Sequence, residues 1–448
     1  MKSCNSLCLK NIYAILIAYI CAFIFLFLYY SLEGYKENIP SFMIGIHVYF
    51  AIAYFTCIIL SLFTKNSVIL YLSIFLYSLF SSILVRSCSW IYLNDPFFYA
   101  VDSYTYDSLA TMSLSSGDSY IKYLLLLFLS DLNVDDVGMT SIVYFIYKLF
   151  GVGDNGQTAL LLLNSLIILL SSIKINKIMM LYGIQRMTRF FCLMVFGCFP
   201  FFSVTAAVGM KENFFVFLIV SAFYYMLHYK YTKSQKDLLM IFLFVFSTLL
   251  FRMAIFVMLL IVLFLFLIAA NCNKKRLLYM ILLGSVLGVL LLDVIMKAVF
   301  NIPLEQILAT SEGRSESISM NGSLRWITQG IAVLFGPFPS MNRTVQYGLL
   351  HSSGLLLKMF LNFFMIVSLI TIIRTYDYRK YPLLVYFLTS VMMLILSFVA
   401  FDMRYQITLF PLMMPLIAYA IQNVRLKKGM FFMYCLFVIG LVFFYNAR

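Results

Sequence analysis

Long apolar stretches separated by short polar segments run through the whole sequence. Most are close to the roughly 20 residues that a helix needs to cross a bilayer, and this pattern predicts an all-α polytopic membrane protein. The stretch 238–270 differs because Arg252 interrupts it. Two short helices that meet near Arg252 would keep the next basic residues on the side of the other basic loops, giving about 13 transmembrane helices in all. The other candidate spans are 11–32, 41–63, 67–85, 157–175, 190–208, 213–229, 277–300, 355–374, 381–400, 404–422 and 430–446.

The composition excludes several classes of function. Hydrophobic residues make up 63% of the 448 residues and charged residues only 11%, whereas about a quarter of a soluble protein is charged. A soluble enzyme, a nucleic-acid-binding domain and a disordered scaffold are therefore excluded, and residues 1–448 are expected to form a single integral membrane domain. The nine cysteines show no CxxC pair or regular spacing, so neither a disulfide framework nor a metal site is expected.

The chain has a net charge of +14, and the positions of its charged residues predict how it is oriented in the membrane. With the N-terminus in the cytoplasm, most Lys and Arg residues fall at cytoplasmic loops, together with only Asp237 and Asp377 of the 18 acids. This distribution follows the positive-inside rule. The basic residues therefore indicate contact with anionic membrane lipids, not with a nucleic acid.

Two longer segments lie on the predicted outer face. The first, 86–156, is rich in Asp and is expected to contain interfacial helices, and the second is 301–354. The inner loops are short and merely cationic. Polar chemistry is therefore expected on the outer face.

The acidic segment contains the candidate general base. Residues 100–110 read AVDSYTYDSLA, and helical spacing puts Asp102 and Tyr106 on one face and Asp107 on another. A carboxylate shielded from water at the membrane interface can act as a general base. The alternative is a solvated interfacial helix whose acids only mark the segment as external.

Four charged residues elsewhere are candidates for binding an anion. Lys211 and Glu212 open a helix at its outer end, Arg252 interrupts an apolar stretch, and Arg404 begins a later span. A charge facing lipid costs several kcal/mol, so Arg252 is expected to face a polar cavity, a buried acid or an anionic ligand. The alternatives are a snorkelling arginine and an interfacial Lys–Glu pair with no role.

The second outer segment offers three further features. Arg325 and Gly336 have ten residues between them, and the sequence GPFP that begins at Gly336 predicts an interfacial or re-entrant segment. His351 is the one histidine that the predicted topology places outside. A lone histidine is usually structural, so its catalytic role is the weaker of two interpretations.

These motifs together resemble a bacterial family. They are an acidic outer loop with Asp102-Ser-x-x-Tyr106, the Lys-Glu pair, an Arg between two short spans, a late Arg404-Tyr-x5-Pro and the Arg-x10-Gly spacing. The layout is similar to that of O-antigen and capsule polymerases of the Wzy type, in the variety that looks like GT-C glycosyltransferases.

The resemblance implies transfer of a growing glycan from undecaprenyl diphosphate to a sugar hydroxyl of a lipid-linked repeat unit. The reaction would take place on the periplasmic side of the bacterial inner membrane, with a flippase and a chain-length regulator as further partners. Neither a cofactor nor a metal is required, because the diphosphate is already a good leaving group. Asp102, and after it Asp107, would be the base, and Tyr106 and His351 are additional candidates. The residues expected to bind the diphosphate or the substrate are Lys211, Glu212, Arg252, Arg325 and Arg404.

Two other functions stay open at this point. A GT-C transferase that adds one sugar from a polyprenyl monophosphate donor predicts similar charges. A flippase for lipid-linked oligosaccharides should instead carry cations in a central cavity between two related halves and should not need a long acidic outer loop. No internal repeat is evident in the sequence.

Overall fold

The structure is a computed structural model in which nearly all of the described residues are helical. It describes residues 2–37, 41–98, 100–129, 134–269, 324–339, 346–375, 380–396, 400, 402–425 and 427–446. No strand occurs among these residues. The helices are α1 (Lys2–Glu37), α2 (Ser41–Phe63), α3 (Ser67–Leu93), α4 (Val101–Ser115), α5 (Tyr120–Leu129), α6 (Val134–Phe150), α7 (Asp154–Leu181), α8 (Arg186–Gly197), α9 (Pro200–Val208), α10 (Glu212–Thr232), α11 (Gln235–Leu249), α12 (Met253–Ala269), α13 (Leu324–Phe335), α14 (Gln346–Thr375), α15 (Tyr381–Leu396), α16 (Met403–Gln406), α17 (Phe410–Asn423) and α18 (Lys428–Asn446).

Eight segments in the described ranges are long and apolar enough to cross a membrane. They lie in α1, α2, α3, α7, the joined α8–α9 pair, α10, α14 and α18, while α12 and α15 are shorter apolar helices. The prediction of an all-α, multi-pass membrane protein is confirmed to this extent. The predicted span 277–300 and most of the outer segment 301–354 lie outside the described residues, so the total of about 13 helices stays a prediction.

The pair α8–α9 lies at the centre of the helix packing. It contacts α2, α3, α7, α14 and α17, and its membrane-spanning window is entirely buried. Phe199 at the bend of the pair packs on Phe410 of α17, with ring centroids 4.5 Å apart. Pro200 opens α9, where its fixed φ and missing N–H cost nothing. Gly209 ends α9 with a φ of +73°, a left-handed conformation that suits glycine.

The stretch around Arg252 forms two short helices, as predicted. Helix α11 ends at Leu249, α12 begins at Met253, and residues 250–252 form a bend between them. Helix α11 packs on both α10 and α12. The bend brings Arg252 to the level of the α9–α10 junction, as the contacts described below show.

The acidic segment that was predicted on the outer face is also helical over most of its described residues. Helix α3 continues to Leu93, past the predicted end of its span at residue 85, and stops where Asn94 adopts a left-handed conformation. Helices α4, α5 and α6 follow, with α4 and α5 packed on α6 and α6 packed on α7. Three short helices therefore form a compact unit at one end of the membrane-spanning helices.

Candidate functional site

Asp102 lies in the first turn of α4 and faces Arg404. The nearest atoms, Asp102 Oδ2 and Arg404 Nη1, are 3.7 Å apart. Asp402 also holds this guanidinium: its carboxylate accepts hydrogen bonds from Arg404 Nε at 3.1 Å and from the Arg404 backbone N–H at 2.8 Å. Because Asp402 is the N-cap of α16, the local fold of that short helix fixes where Arg404 points.

Asp136 joins α4 to the junction between α9 and α10. Its Oδ1 accepts hydrogen bonds from Tyr106 Oη at 2.8 Å and from Lys211 Nζ at 2.5 Å. The Lys211 side chain is only 8% exposed, so water screens this ion pair weakly. Burial and the charge of Asp136 raise the pKa of Tyr106. The phenol therefore stays protonated and continues to donate to Asp136.

Glu212 is the first residue of α10 and is 1% exposed. Its carboxylate interacts electrostatically with Arg252, Arg404 and Lys211. Its Oε2 atom is buried and has no hydrogen-bond partner in the described part of the chain. A buried carboxylate is tolerated only where nearby cations or donors compensate its charge. Cations from three separate elements provide that compensation here.

Arg252 occupies the bend between α11 and α12. Its guanidinium carbon lies 4.2 Å from the ring centroid of Tyr405 and 5.5 Å from that of Phe215, within the range of a cation–π contact. Its Nη1 atom is buried without a hydrogen-bond partner among the described residues. The arginine thus contacts two rings, while its buried Nη1 has no partner among the described residues.

Close packing fixes the position of this bend. The Gly138 N–H at the start of α6 donates to Leu250 O at 2.8 Å. A Cβ atom at Gly138 would lie 2.8 Å from both Leu250 O and the Phe251 ring. Only glycine allows the two backbones to approach so closely. The contact therefore fixes α6, which carries Asp136, relative to the bend that carries Arg252.

A buried amide network holds the start of α10. Asn213 Nδ2 donates to Asn164 Oδ1 at 3.1 Å and to Phe202 O at 3.2 Å, while Thr205 Oγ1 donates to Asn213 Oδ1 at 3.0 Å. These bonds connect α10 to α7 and α9. Since Asn213 directly follows Glu212, the network also fixes the backbone that presents Glu212.

We call these converging residues the charged cluster. It is built from α4, α6, the α9–α10 junction, the α11–α12 bend and α16, and it contains six of the nine predicted site residues. Its three cations face four carboxylates, so the cluster is nearly neutral. Two of its buried charged side chains, Glu212 and Arg252, each keep an unpaired polar atom among the described residues. Its members are Asp102, Tyr106, Asp136, Lys211, Glu212, Arg252, Asp402 and Arg404.

Asp107 lies on the other side of α4, as its spacing from Asp102 predicts. Its Oδ1 accepts hydrogen bonds from Tyr147 Oη and, at 3.2 Å, from Gln157 Nε2. Arg86 Nη2 donates to Gln157 Oε1 at 2.5 Å and lies 3.4 Å from Asp154. Asp107 therefore connects α4 to α6 and α7, and none of its contacts described here involves the charged cluster.

The remaining predicted residues are not brought to the cluster. Arg325 is in α13, but its side chain is outside the described residues. Gly336 follows the end of α13. His351 was expected in an outer loop; it is buried in α14, with its ring centroid 5.0 Å from that of Phe201. It contacts α9 instead of the cluster.

The structure also contains a buried lysine that the sequence reasoning passed over. Lys358 in α14 is 1% exposed, and its Nζ donates to Gly336 O at 2.7 Å and to Gln406 Oε1 at 2.9 Å. Gln406 Nε2 in turn donates to Ala332 O at 2.7 Å and to Ala400 O at 2.5 Å. This network ties α13 and α14 to α16, the helix that carries Arg404.

Asp136, Asp402 and Lys358 are functional candidates that sequence reasoning missed. Asp136 was one acid among several in the outer segment, and Asp402 was adjacent to a residue already chosen. Lys358 carried a usable signal, a single charge inside an apolar span, which is the signal that identified Arg252.

The described residues include no group of three or more His, Cys, Asp or Glu side chains that could hold a metal ion. No protein-family model matches the chain, and neither a curated protein nor a solved structure shows significant similarity to it. Its function has to be inferred from the charged cluster and the membrane-spanning fold.

Proposed function

We propose that the protein is a polytopic glycosyltransferase that polymerises lipid-linked glycan repeat units into a surface polysaccharide, an O-antigen or a capsule. One observation carries the proposal. Asp102, the adjacent pair Lys211 and Glu212, Arg252 and Arg404 come from four distant places in the sequence, yet they converge in the charged cluster.

The convergence suits transfer from a glycosyl diphosphate. The oxygen of an acceptor hydroxyl forms a bond to the anomeric carbon, and the bond from that carbon to the diphosphate oxygen breaks. Arginine donors suit the charge that develops on the leaving diphosphate, since a guanidinium can form two parallel hydrogen bonds to it. A nearby carboxylate takes the hydroxyl proton. The cluster combines these two kinds of group in one place.

The substrates in this proposal are glycans on undecaprenyl diphosphate, which reach the site from the membrane. The protein would lie in the bacterial inner membrane with its N-terminus in the cytoplasm and the cluster towards the periplasm. A flippase would supply the repeat units, and a chain-length regulator is a further expected partner.

The polysaccharide ladder of a deletion strain tests the proposal. Loss of the polymerase should reduce the ladder to core plus a single repeat, and the wild-type gene should restore it. A full ladder in the deletion strain would refute the polymerase. Absence of even one repeat would indicate a single-sugar GT-C transferase or a flippase instead.

Arg252 provides a second test within the same strains. Arg252→Lys keeps the positive charge but cannot reproduce the two-pronged hydrogen bonding of a guanidinium. We expect a ladder with fewer and shorter chains at equal protein level. Full activity of Arg252→Lys would exclude paired hydrogen bonding of Arg252 to phosphate.

A further inference from the structure

Two buried atoms of the charged cluster lack hydrogen-bond partners, and they are of opposite type. Glu212 Oε2 is an acceptor and Arg252 Nη1 is a donor, and neither is paired within the described residues. Leaving a buried polar atom unpaired is energetically costly. Glu212 and Arg252 also interact electrostatically. A ligand that carries a hydroxyl beside an anionic oxygen would satisfy both atoms at once.

The other cations of the cluster are engaged with other acids. Lys211 donates to Asp136 at 2.5 Å, and Arg404 donates to Asp402 at 3.1 Å. They balance the charge of Glu212 through space. Glu212 therefore keeps an oxygen available in surroundings that compensate its negative charge.

Asp102, the base expected from the sequence, is placed differently. Its side chain is 46% exposed and forms an ion pair with Arg404 at 3.7 Å. Water and a guanidinium both compete for its oxygens. Glu212, at 1% exposure, is shielded from water, and its Oε2 accepts no hydrogen bond from the described residues. That oxygen can therefore accept a proton from a positioned substrate hydroxyl.

We infer that Glu212 is the group that accepts the proton of the acceptor hydroxyl, and that Asp102 positions Arg404. The inference rests on the proposed polymerase function. In the transfer step the O–H bond of the acceptor breaks and its proton passes to Glu212 Oε2. The acceptor oxygen bonds to the anomeric carbon, and the electron pair of the broken C–O bond leaves with the diphosphate, to which Arg252 Nη1 donates. The protonated Glu212 then returns its proton to the departing diphosphate.

The test uses the full-length protein in the deletion strain. Glu212→Gln, Glu212→Asp and Asp102→Asn are compared with the wild type, and Asp154→Asn serves as the matched control because that side chain is 91% exposed and lies outside the cluster. Polysaccharide ladders are read at equal protein level. Purified variants are then assayed over a range of pH with undecaprenyl-diphosphate-linked repeat units extracted from the deletion strain.

Glu212→Gln should lower the rate by about 10²–10⁴-fold, the usual contribution of a general base, and should remove the acid limb of the pH profile. Asp102→Asn should keep that limb at a reduced rate, and Asp154→Asn should match the wild type. If the deletion strain loses its ladder but Glu212→Gln restores the wild-type ladder, the role of Glu212 is refuted. The proposed polymerase function would still hold in that case. Loss of the acid limb in Asp102→Asn but not in Glu212→Gln would make Asp102 the base.

Glu212→Asp provides the test if the Glu212→Gln protein does not reach the wild-type level in cells. The shorter side chain retains a carboxylate but draws it back from the acceptor, so we expect a lower rate with the acid limb present and shifted. An unshifted profile would overturn the inference. A full ladder in the deletion strain itself would instead refute the proposed function.

Discussion

Substitutions at Asp107 test whether this residue holds α4 against α6 and α7 or takes part in chemistry. Its Oδ1 accepts hydrogen bonds from Tyr147 Oη and Gln157 Nε2, and Tyr147 is 2% exposed. Burial and the bond to Asp107 raise the pKa of Tyr147, so the phenol remains a donor. Asp107→Ala would leave two donors without this acceptor.

The size of the effect follows from these two bonds. A hydrogen bond to a charged group contributes about 1.5–3 kcal/mol when it is buried. Because Asp107 and Gln157 are partly exposed, solvent weakens both bonds, and we expect Asp107→Ala to lower the free energy of unfolding by about 2–3 kcal/mol in total. Asp107→Asn keeps Oδ1 as an acceptor and should cost about 1 kcal/mol.

The measurement combines stability and activity. Unfolding of the purified variants in detergent gives the free energies, and complementation of the deletion strain gives the ladder. Asp154→Ala is the control, since a surface ion pair contributes only about 0–1 kcal/mol. Asp107→Asn should retain the ladder. Loss of the ladder in a stable Asp107→Asn protein would make Asp107 a catalytic candidate again. A cost of Asp107→Ala no larger than that of Asp154→Ala would refute the structural role.

Three further substitutions test the supports of the cluster by unfolding in detergent. Asn213→Ala loses three interhelical hydrogen bonds and should cost about 2 kcal/mol at about 0.6 kcal/mol each; Asn423→Ala, which loses a bond within its own helix, is the control, and equal costs would contradict the prediction. In Gly138→Val the larger side chain would clash with the α11–α12 bend, so the free energy of unfolding should fall by about 1–3 kcal/mol and activity should fall as well. Unchanged stability would show that α6 and the bend are not closely packed. Gln406→Leu removes one of the two acceptors of the buried Lys358 ammonium and leaves only Gly336 O, so it should cost about 3 kcal/mol. Lys358→Met removes the buried charge itself and should cost less; a larger cost for Lys358→Met would contradict the prediction.

Local features of the structure were predictable from the sequence. Arg252 interrupts an apolar stretch in which a single helix would place the next basic residues on the outer side, against the positive-inside rule. Two helices with a bend at this residue are present. The four-residue spacing of Asp102 and Tyr106 puts both on the cluster side of α4, and Asp107 on the other side. These predictions succeeded because they depend only on helical periodicity and on the cost of burying a charge.

Features that depend on distant contacts were not predictable. Arg86 was expected to end its span, but Gln157 and Asp154 satisfy its guanidinium, and α3 continues beyond it. Nothing in the sequence near Asp136 indicates Lys211 as its partner 75 residues away. The position of His351 against α9 likewise depends on how α14 packs.

The lengths of α11 and α12 have a consequence for the surrounding lipid. At 1.5 Å per residue, their 15 and 17 residues span about 23 and 26 Å, whereas the hydrocarbon core of a bilayer is about 30 Å thick. Helix α11 exposes an apolar face that includes Leu239, Leu243 and Phe246. A membrane that contacts this face would have to become thinner beside the bend. Such local thinning would bring the headgroup layer closer to Arg252. Under the proposed function, a lipid-borne diphosphate could then approach the charged cluster from the side without leaving its leaflet.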